Sequence, residues 1–393
     1  MNATAQRFLL LGLLPAFACR DDDMPASSGT DATATTSGSA GLTTGTGDGE
    51  TTSSDPTAET EESPDSITTS STTADPDTTT SDSDTDAPTT GGEQSMFCPE
   101  GPFAKTPLLS KTVVATVLPG TSTSVGVDGL IEGPVWFEGS LYVSHFWFSS
   151  SPHPSEILRY VDGVGFELAQ VDSGTNGLAI DHEGMLIGGN QANGTISAYD
   201  LMGGITTVVE DFEGTRFNSP NDLAVRSDGT IYFSDPNYQG PQPMPQSITA
   251  VYRVAPDGTV VQFETSLEQP NGVTLSPMED VLYVGFPGGI RRYDLMPDGS
   301  VVTPGTEFGR GLSNIDGMTV DCAGNLYATL FSEARIAVLD PEGTELGSVE
   351  VAPSLTNAAF GGPEGRTLFI TAGNPEQGDS LYSVELEIPG IPY

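Results

Sequence analysis

Short apolar segments with alternating polar positions fill the chain from residue 98 onward. Ile231-Tyr-Phe-Ser and Leu282-Tyr-Val-Gly are two examples, and turns such as Asp228-Gly229 and Asp257-Gly258 stand between such segments. Apolar alternation bounded by Asp-Gly turns is typical of β-hairpins. No stretch of useful length has the 3.6-residue periodicity of an amphipathic helix. The pattern therefore predicts an all-β fold over residues 98–393.

One sequence unit recurs six times in this region. Each copy has a polar residue followed by Gly, Asp or Ala, then an apolar strand, a turn and a second apolar strand. The polar residues are Glu132, Asn176, Asn221, Asn271, Asp316 and Asn357. Their spacing of 41 to 50 residues suits a four-stranded propeller blade. We expect a six-bladed β-propeller, closed by pairing of Thr112–Leu118 with the last blade near Leu381–Leu386.

The N-terminus has the features of an export signal. Arg7 precedes the apolar run Phe8–Leu14, and Ala16-Phe-Ala-Cys19 supplies small residues before a cysteine, which predicts a signal peptide over residues 1–18. The run is too short to span a bilayer. The segment resembles a bacterial lipoprotein signal, which implies acylation of Cys19, although Ala16 stands where Leu is usual. An ordinary signal peptide cut nearby is the alternative.

Residues 19–97 form a low-complexity linker. Between Arg20 and Met96, 34 of 77 residues are Ser or Thr, 17 are Asp or Glu, and none is aromatic. Such a segment cannot bury enough apolar surface to offset its chain entropy, so we expect it to be disordered. It would tether the propeller to a bacterial outer membrane or cell surface. Without acylation of Cys19 the protein would be periplasmic or secreted.

The charge of the chain excludes several partners. The sequence has 13 Lys and Arg against 54 Asp and Glu, a formal net charge of −41. Nucleic-acid binding depends on basic residues, so it is excluded, and a lipid anchor is the only membrane attachment we expect. Three cysteines are too few for a disulfide scaffold, but Cys98 and Cys322 could pair in an oxidising compartment. We expect a monomer.

The six repeated polar residues are candidates for one site. Equivalent positions of propeller blades are related by rotation about the channel, so the six side chains should converge at one mouth. Carboxylates and carboxamides are hard oxygen donors that suit Ca²⁺ and Mg²⁺, and the set contains no Cys or His of the kind that binds zinc. In the competing interpretation, the Asn-Gly and Asp-Gly pairs are simply turn formers.

Several motifs carry a family resemblance. They are Ile131-Glu-Gly-Pro-Val-Trp136, Ser219-Pro-Asn-Asp222, Gln269-Pro-Asn-Gly272, Ile315-Asp-Gly-Met318 and Thr356-Asn-Ala-Ala-Phe360. In this order they resemble the SMP-30/gluconolactonase/regucalcin (LRE-like region) family over essentially the whole folded part. The resemblance implies a six-bladed propeller with a divalent cation in the channel, Ca²⁺ or else Mg²⁺, Zn²⁺ or Mn²⁺. It also implies hydrolysis of sugar lactones.

The resemblance also implies roles for individual residues. Glu132, Asn221, Asn271 and Asp316 would hold the cation, and Asp316 would also be the general base. The cation would polarise the lactone carbonyl while Asp316 accepts a proton from the attacking water, opening the ring to a hydroxy acid.

Four further residues are predicted substrate contacts: Arg216, Asn176, Asn190 and His145. Asn190 stands where lactonase-like members often have a histidine, and it can only hydrogen-bond there. His145 stands in Ser-His-Phe where Ser-Asp-Ile is common. The departure at Asn190 favours an alternative function, a non-catalytic propeller that keeps a structural cation and binds a ligand or partner. Another metal-dependent ester hydrolase would use the same site.

Overall fold

The structure is a computed structural model that describes residues 98–99, 102–104, 106–108, 110–123, 129–148, 152–352, 354–373 and 379–391. The predicted signal peptide, Cys19 and the linker to residue 97 lie outside these ranges. Every regular element within them is a β-strand. The described part of the chain also has no helix that is both long and apolar enough to cross a bilayer.

The strands form six sheets, each a blade of a propeller. Blade one contains β3 (Gly129–Phe137), β4 (Ser140–Trp147), β5 (Ser155–Val161) and β6 (Gly165–Gln170). Blade two contains β7 (Thr175–Ile180), β8 (Leu186–Asn190), β9 (Thr195–Tyr199) and β10 (Ile205–Val209). Blade three contains β11 (Leu223–Val225), β12 (Ile231–Asp235), β13 (Ala250–Val254) and β14 (Val260–Glu264).

The remaining three blades continue this order. Blade four contains β15 (Val273–Leu275), β16 (Val281–Phe286), β17 (Gly289–Asp294) and β18 (Thr306–Phe308). Blade five contains β19 (Ile315–Val320), β20 (Leu326–Leu330), β21 (Arg335–Leu339) and β22 (Glu345–Glu350), with β1 (Thr112–Val114) at its edge. Blade six contains β23 (Leu355–Gly361), β24 (Thr367–Ala372) and β25 (Ser380–Glu385), with β2 (Thr116–Val117) as its fourth strand.

The first strands of the six blades surround the central channel. Each contacts the first strand of the next blade, and β23 of blade six contacts β3 of blade one, so the ring is closed. The expected six-bladed, all-β propeller is therefore confirmed. Apolar residues of the strands fill the space between blades; Phe308, Leu330 and Leu339, for example, belong to one buried cluster between blades four and five. Burial of each such side chain contributes about 1.5–3 kcal/mol.

The early segment Thr112–Leu118 divides between two blades. Its second half closes the ring as expected, since Thr116 pairs with Ser383 on β25 and the Leu118 amide donates to the Leu381 carbonyl at 2.8 Å. Its first half pairs in parallel with β22, with Val113 opposite Val349. The segment therefore covers the outer edge of blade five and then completes blade six, which protects both edges.

Cys98 and Cys322 form a disulfide, with their Cα atoms 5.6 Å apart. Cys322 begins the turn that follows β19. The bond therefore ties the start of the described chain to blade five.

Candidate functional site

The repeated polar residues meet at one end of the channel. A cavity of about 220 Å³ opens there, and it is lined on its polar side by Glu132, Asn176, Asn221, Asn271 and Asp316. These are five of the six residues at the same phase of the repeat. Its apolar wall comes from Leu130, Phe146, Pro287, Ile315 and Phe331. The cavity lining therefore combines oxygen-bearing side chains with apolar ones.

β-Bulges set the direction of the site residues. The register between the first and second strands shifts between Glu132 and Val135 in blade one, and between Ile315 and Met318 in blade five. Blades two and six have the same irregularity at Thr175–Leu178 and Leu355–Asn357. A bulge re-aims a side chain that regular pleating would place elsewhere. The bulges therefore turn these first-strand residues toward the channel.

The glycine after the site residue allows neighbouring blades to approach closely. The Gly177 amide donates to the Asn221 carbonyl at 2.7 Å, and a Cβ on Gly177 would lie 2.4 Å from that oxygen. Likewise the Gly272 amide donates to the Asp316 carbonyl at 2.9 Å, and a Cβ on Gly272 would lie 2.2 Å from it. Asn176-Gly177 lies inside β7, so this dipeptide is not a turn. Glycine is required because no side chain fits between the strands.

Hydroxyl side chains satisfy the backbone carbonyls that the bulges expose. The Ser144 hydroxyl contacts the Asn176 carbonyl oxygen at 2.5 Å and the Glu132 carbonyl oxygen at 3.2 Å. The Thr329 hydroxyl lies 2.8 Å from the Gly317 carbonyl oxygen and 3.1 Å from that of Thr356. Each hydroxyl thus joins the first strands of two adjacent blades. Buried carbonyls without a partner would be costly, so these residues stabilise the bulged geometry.

Three carboxyl groups lie close together in the channel. Burial and the nearby Asp222 raise the pKa of Glu132 to about 8, although one of its oxygens accepts the Gly133 amide at 2.7 Å. Burial and repulsion by Glu132 and Asp222 raise the pKa of Asp316 well above its ordinary value. Like charges held together in a poorly solvated site disfavour ionisation. The site is therefore electrostatically suited to a cation.

Asp222 is a site neighbour that sequence reasoning missed. It occupies the position where four of the six repeat copies have glycine. An aspartate in place of that glycine was the one sequence feature that could have indicated it. Its two oxygens accept the Leu223 and Val273 amides, each at 3.0 Å. Asp222 therefore joins blade three to blade four, and burial raises its pKa to about 7. It contributes charge to the site while both of its oxygens are held by the backbone.

The asparagine side chains of the repeat differ in how many hydrogen bonds they already make within the protein. The Asn357 Oδ1 atom accepts the Ala358 amide at 2.8 Å, and this residue lies deeper, beside Asp222 in a separate cavity of about 20 Å³. The Asn176 Nδ2 atom donates to the Gln191 side chain at 3.2 Å, but its buried Oδ1 has no hydrogen-bond partner. Within the described ranges, no three Asp, Glu, His or Cys side chains form a metal-type cluster. A cation here would therefore need carboxamide ligands beside Glu132 and Asp316.

Three predicted substrate contacts lie outside the cavity lining. Asn190 is fully buried. Its Nδ2 atom donates to the Ser173 carbonyl, and its Oδ1 atom accepts the Asn193 backbone amide. The Arg216 guanidinium donates to four backbone carbonyls, the shortest contact being 3.1 Å to Phe217. The His145 Nδ1 atom lies 3.0 Å from Glu156, and its ring packs on Trp147 at 4.4 Å between centroids. The structure gives each of these side chains other partners.

The cavity includes three polar residues that the repeat did not indicate, namely Tyr238, Gln239 and Asn314. Of these, Tyr238 and Gln239 lie in the connection between β12 and β13. They follow the Ser234-Asp-Pro236 motif after one intervening residue, Asn237. No repeat-phase signal points to them, because the repeated sequence unit covers two strands of each blade and the turn between them, and not this connection. Their place in the cavity depends on the path of this connection.

Comparison with known proteins places the chain in a family. The family model described as SMP-30/Gluconolactonase/LRE-like region matches residues 130–374. A gluconolactonase of Zymomonas mobilis is 30% identical over 279 residues, which cover 62% of this chain and 76% of that protein. A pentonolactonase of Haloferax volcanii is 28% identical over 267 residues, 63% of this chain and 84% of that protein.

The fold is shared with solved structures of similar proteins. A gluconolactonase structure from Xanthomonas campestris has 26% sequence identity and a TM-score of 0.57, and the match covers 74% of this chain and 99% of that one. Both the sequence motifs and the six-bladed architecture thus agree with the resemblance. The chain belongs to the SMP-30/gluconolactonase/LRE-like family.

Proposed function

We propose that this protein is a divalent-cation-dependent hydrolase that opens a sugar-type lactone to a hydroxy acid. The main support is the cavity itself, where Glu132, Asp316 and three asparagine amides face one space. Named lactonases among the relatives, a gluconolactonase and a pentonolactonase, supply the substrate class. The buried Glu132 and the partly buried Asp316 have no basic partner in the lining, and such acidic groups are costly to ionise unless a cation balances them.

The donor set fits Ca²⁺ better than a softer metal. Glu132, Asp316, Asn221 and Asn271 would hold the cation, because all four supply oxygen atoms to the cavity. The unpartnered Asn176 Oδ1 beside them is a further oxygen donor. When bound, a divalent cation supplies Lewis acidity, which polarises a carbonyl and stabilises the developing oxyanion. Mg²⁺, Mn²⁺ and Zn²⁺ are the alternatives to test.

The chain's own residues would position the substrate and move the proton. Asp316 is partly buried and lines the open cavity, so its carboxylate can accept a proton from a water that attacks the lactone carbonyl. The amides of Asn176 and Asn221 can hydrogen-bond substrate hydroxyls. Phe146 and Phe331 form an apolar wall that limits water around the reacting bond. Opening the ring transfers the proton to the leaving alkoxide and yields the hydroxy acid.

The placement of Asn190 favours a second candidate function. Its side chain is bound to the backbone at Ser173 and Asn193, and the cavity-lining residues of the described chain include no histidine. A propeller that binds a cation and a ligand without turnover would need no further acid or base. This alternative shares the metal ligands and differs only in lacking catalysis.

A substrate panel separates the two functions. Sugar lactones and aryl esters are assayed with Ca²⁺, Mg²⁺, Mn²⁺ or Zn²⁺ and with EDTA, using the native chain and Asp316→Asn. The exposed Asp294, which pairs with Arg292, provides the control Asp294→Asn. Lactone turnover that EDTA and Asp316→Asn abolish, with Asp294→Asn unaffected, is expected. Absence of turnover on every substrate, together with a cation that still raises the melting temperature, supports the binding propeller instead. Turnover of aryl esters alone indicates the ester hydrolase.

We also propose that the protein is exported and anchored through Cys19. The support is the lipoprotein-type signal and the acidic Ser/Thr-rich linker in the sequence. The full chain and Cys19→Ala are expressed in a Gram-negative host and fractionated. Native protein is expected with membranes, and the variant in the soluble fraction. Equal soluble fractions would contradict the anchor.

A further inference from the structure

Blade three has an unusually long connection on the same side as the cavity. Residues 236–249 join β12 to β13. The matching connections of blades two, four and five are residues 191–194, 287–288 and 331–334. In blades two to five this connection lies at the mouth of the cavity, because the second strand runs antiparallel to the first and ends beside the site residue; in blade two, for example, Asn190 at the end of β8 pairs with Thr175. The blade-three connection is therefore long enough to contribute additional residues to the cavity lining.

Hydrogen bonds fix this connection at both ends. The Gln246 amide donates to the Asn218 side chain at 2.9 Å, and the same side chain donates to the Ile248 carbonyl at 3.0 Å. At the other end, the Asn237 amide donates to the Gln269 side chain at 2.8 Å. Gln269 belongs to the segment that carries Asn271. The connection is thus held against the site and its residues have defined positions.

Tyr238 brings a hydroxyl to the edge of the cavity. Its side chain is 43% exposed and its hydroxyl contacts the Gln269 carbonyl oxygen at the long distance of 3.3 Å. The hydroxyl also lies close to the Asn271 amide and the Asp316 carboxyl. A phenol can donate and accept hydrogen bonds. A bound ligand with a hydroxyl group can replace the weak contact to Gln269.

Gln239 adds an unused acceptor next to Tyr238. It lines the cavity, and its Oε1 atom is buried without a hydrogen-bond partner. A buried polar atom left unpaired is unfavourable, so a hydroxyl of a ligand or a water would stabilise it. Phe331 and Leu130 form the apolar part of the same cavity. A ligand with hydroxyls on one edge and an apolar face would fit these contacts.

We propose that Tyr238, supported by Gln239, binds a hydroxyl group of the substrate and determines which polyhydroxylated lactones are accepted. This inference rests on the proposed lactone hydrolysis. It assigns a specificity role to the blade-three connection, which lies outside the repeated metal and base residues. Tyr238 would act on binding of the substrate hydroxyl and not on the proton transfer at Asp316.

The test compares Tyr238→Phe, Gln239→Ala and the control Tyr160→Phe. Tyr160 bonds Asp162 at 3.2 Å on blade one and does not line the cavity. Each variant is assayed on glucono-lactone and on its monodeoxy analogues, and kcat and KM are measured separately. Binding of gluconate is measured by calorimetry in parallel, so that the contact can be tested without turnover. Melting temperatures report on folding.

Loss of a neutral hydrogen bond should lower kcat/KM for the hydroxylated lactone about 3- to 10-fold in Tyr238→Phe. One deoxy analogue should be unaffected by the substitution, because it lacks the contacted hydroxyl. Tyr160→Phe should behave like the native protein. If Tyr238→Phe matches the native protein on every lactone, the inference is wrong although lactone hydrolysis stands. If there is no turnover but gluconate binding weakens only in the cavity variants, the ligand contact stands and the proposed reaction fails. If the native protein shows neither turnover nor gluconate binding, both the inference about Tyr238 and the proposed reaction are wrong.

Discussion

Glu132→Gln should make the cation-free protein more stable and the cation-bound protein less stable. Gln has the same shape as Glu and can still accept the Gly133 amide, which lies 2.7 Å from the native Oε2. It removes one of three neighbouring carboxyls. The substitution therefore separates repulsion in the empty site from the attraction that a bound cation would supply.

The size of the effect follows from the shifted pKa. The pKa of Glu132 is raised from 4.5 to about 8, mainly by burial and next by Asp222. A carboxyl with a raised pKa in the folded state contributes its stability below pH 4.5, and this is lost as pH rises through 8. The difference corresponds to an upper limit of about 5 kcal/mol. Water entering the open cavity weakens the repulsion, so we expect a gain of about 2–5 kcal/mol for the variant at pH 9.

Urea unfolding measures this difference directly. Native protein, Glu132→Gln and the exposed control Glu387→Gln are unfolded with EDTA at pH 4.5 and pH 9. The variant should equal the native protein at pH 4.5 and exceed it at pH 9, with no change in the control. Ca²⁺ at about 10⁴ times the native Kd should reverse the order, since a ligand at that excess adds about 5.5 kcal/mol to the state that binds it. A variant that is less stable than the native protein at pH 9 in EDTA would refute the electrostatic reasoning.

Three further substitutions test the catalytic base and the support of the site. Asp316→Asn should reduce lactone kcat by about 10²–10⁴ while the protein stays folded by circular dichroism; activity near native would remove Asp316 as the base. In Gly317→Ala, the new Cβ would lie 1.9 Å from Asn357, and overpacking should cost about 1–3 kcal/mol in urea unfolding; an unchanged midpoint would contradict the steric requirement. Ser144→Ala should cost about 1–3 kcal/mol by leaving two bulge carbonyls unpaired, and Ser122→Ala on the partly exposed surface serves as its control.

Most of the fold prediction rested on the sequence repeat. Six copies at similar spacing predicted the blade number, and the turn dipeptides predicted where strands are separated. The same phase identified Glu132, Asn176, Asn221, Asn271 and Asp316, which line one cavity. This worked because rotation about the channel brings equivalent positions of all blades to the same end. The sequence also left the Asn-Gly pairs ambiguous between turns and site residues, since both uses favour the same dipeptide.

The position of individual side chains depended on strand faces. His145 lies between Ser144 and Phe146 on β4, and neighbouring residues on a strand point to opposite faces. Phe146 lines the cavity, so His145 points away and pairs with Glu156. Asn190 is directed into the backbone around Ser173. A position that differs from the family pattern therefore did not by itself place the side chain in the cavity lining.

The six-bladed ring and the oxygen donors at its mouth could be predicted from sequence, because both recur with the period of the blades. Which unrepeated residues join them depends on contacts between distant parts of the folded chain. Asp222 reaches the channel because its oxygens bind amides of two blades. Tyr238 reaches the cavity because its connection is fixed at Asn218 and Gln269. Such contacts join residues distant in sequence, and no local pattern encodes them.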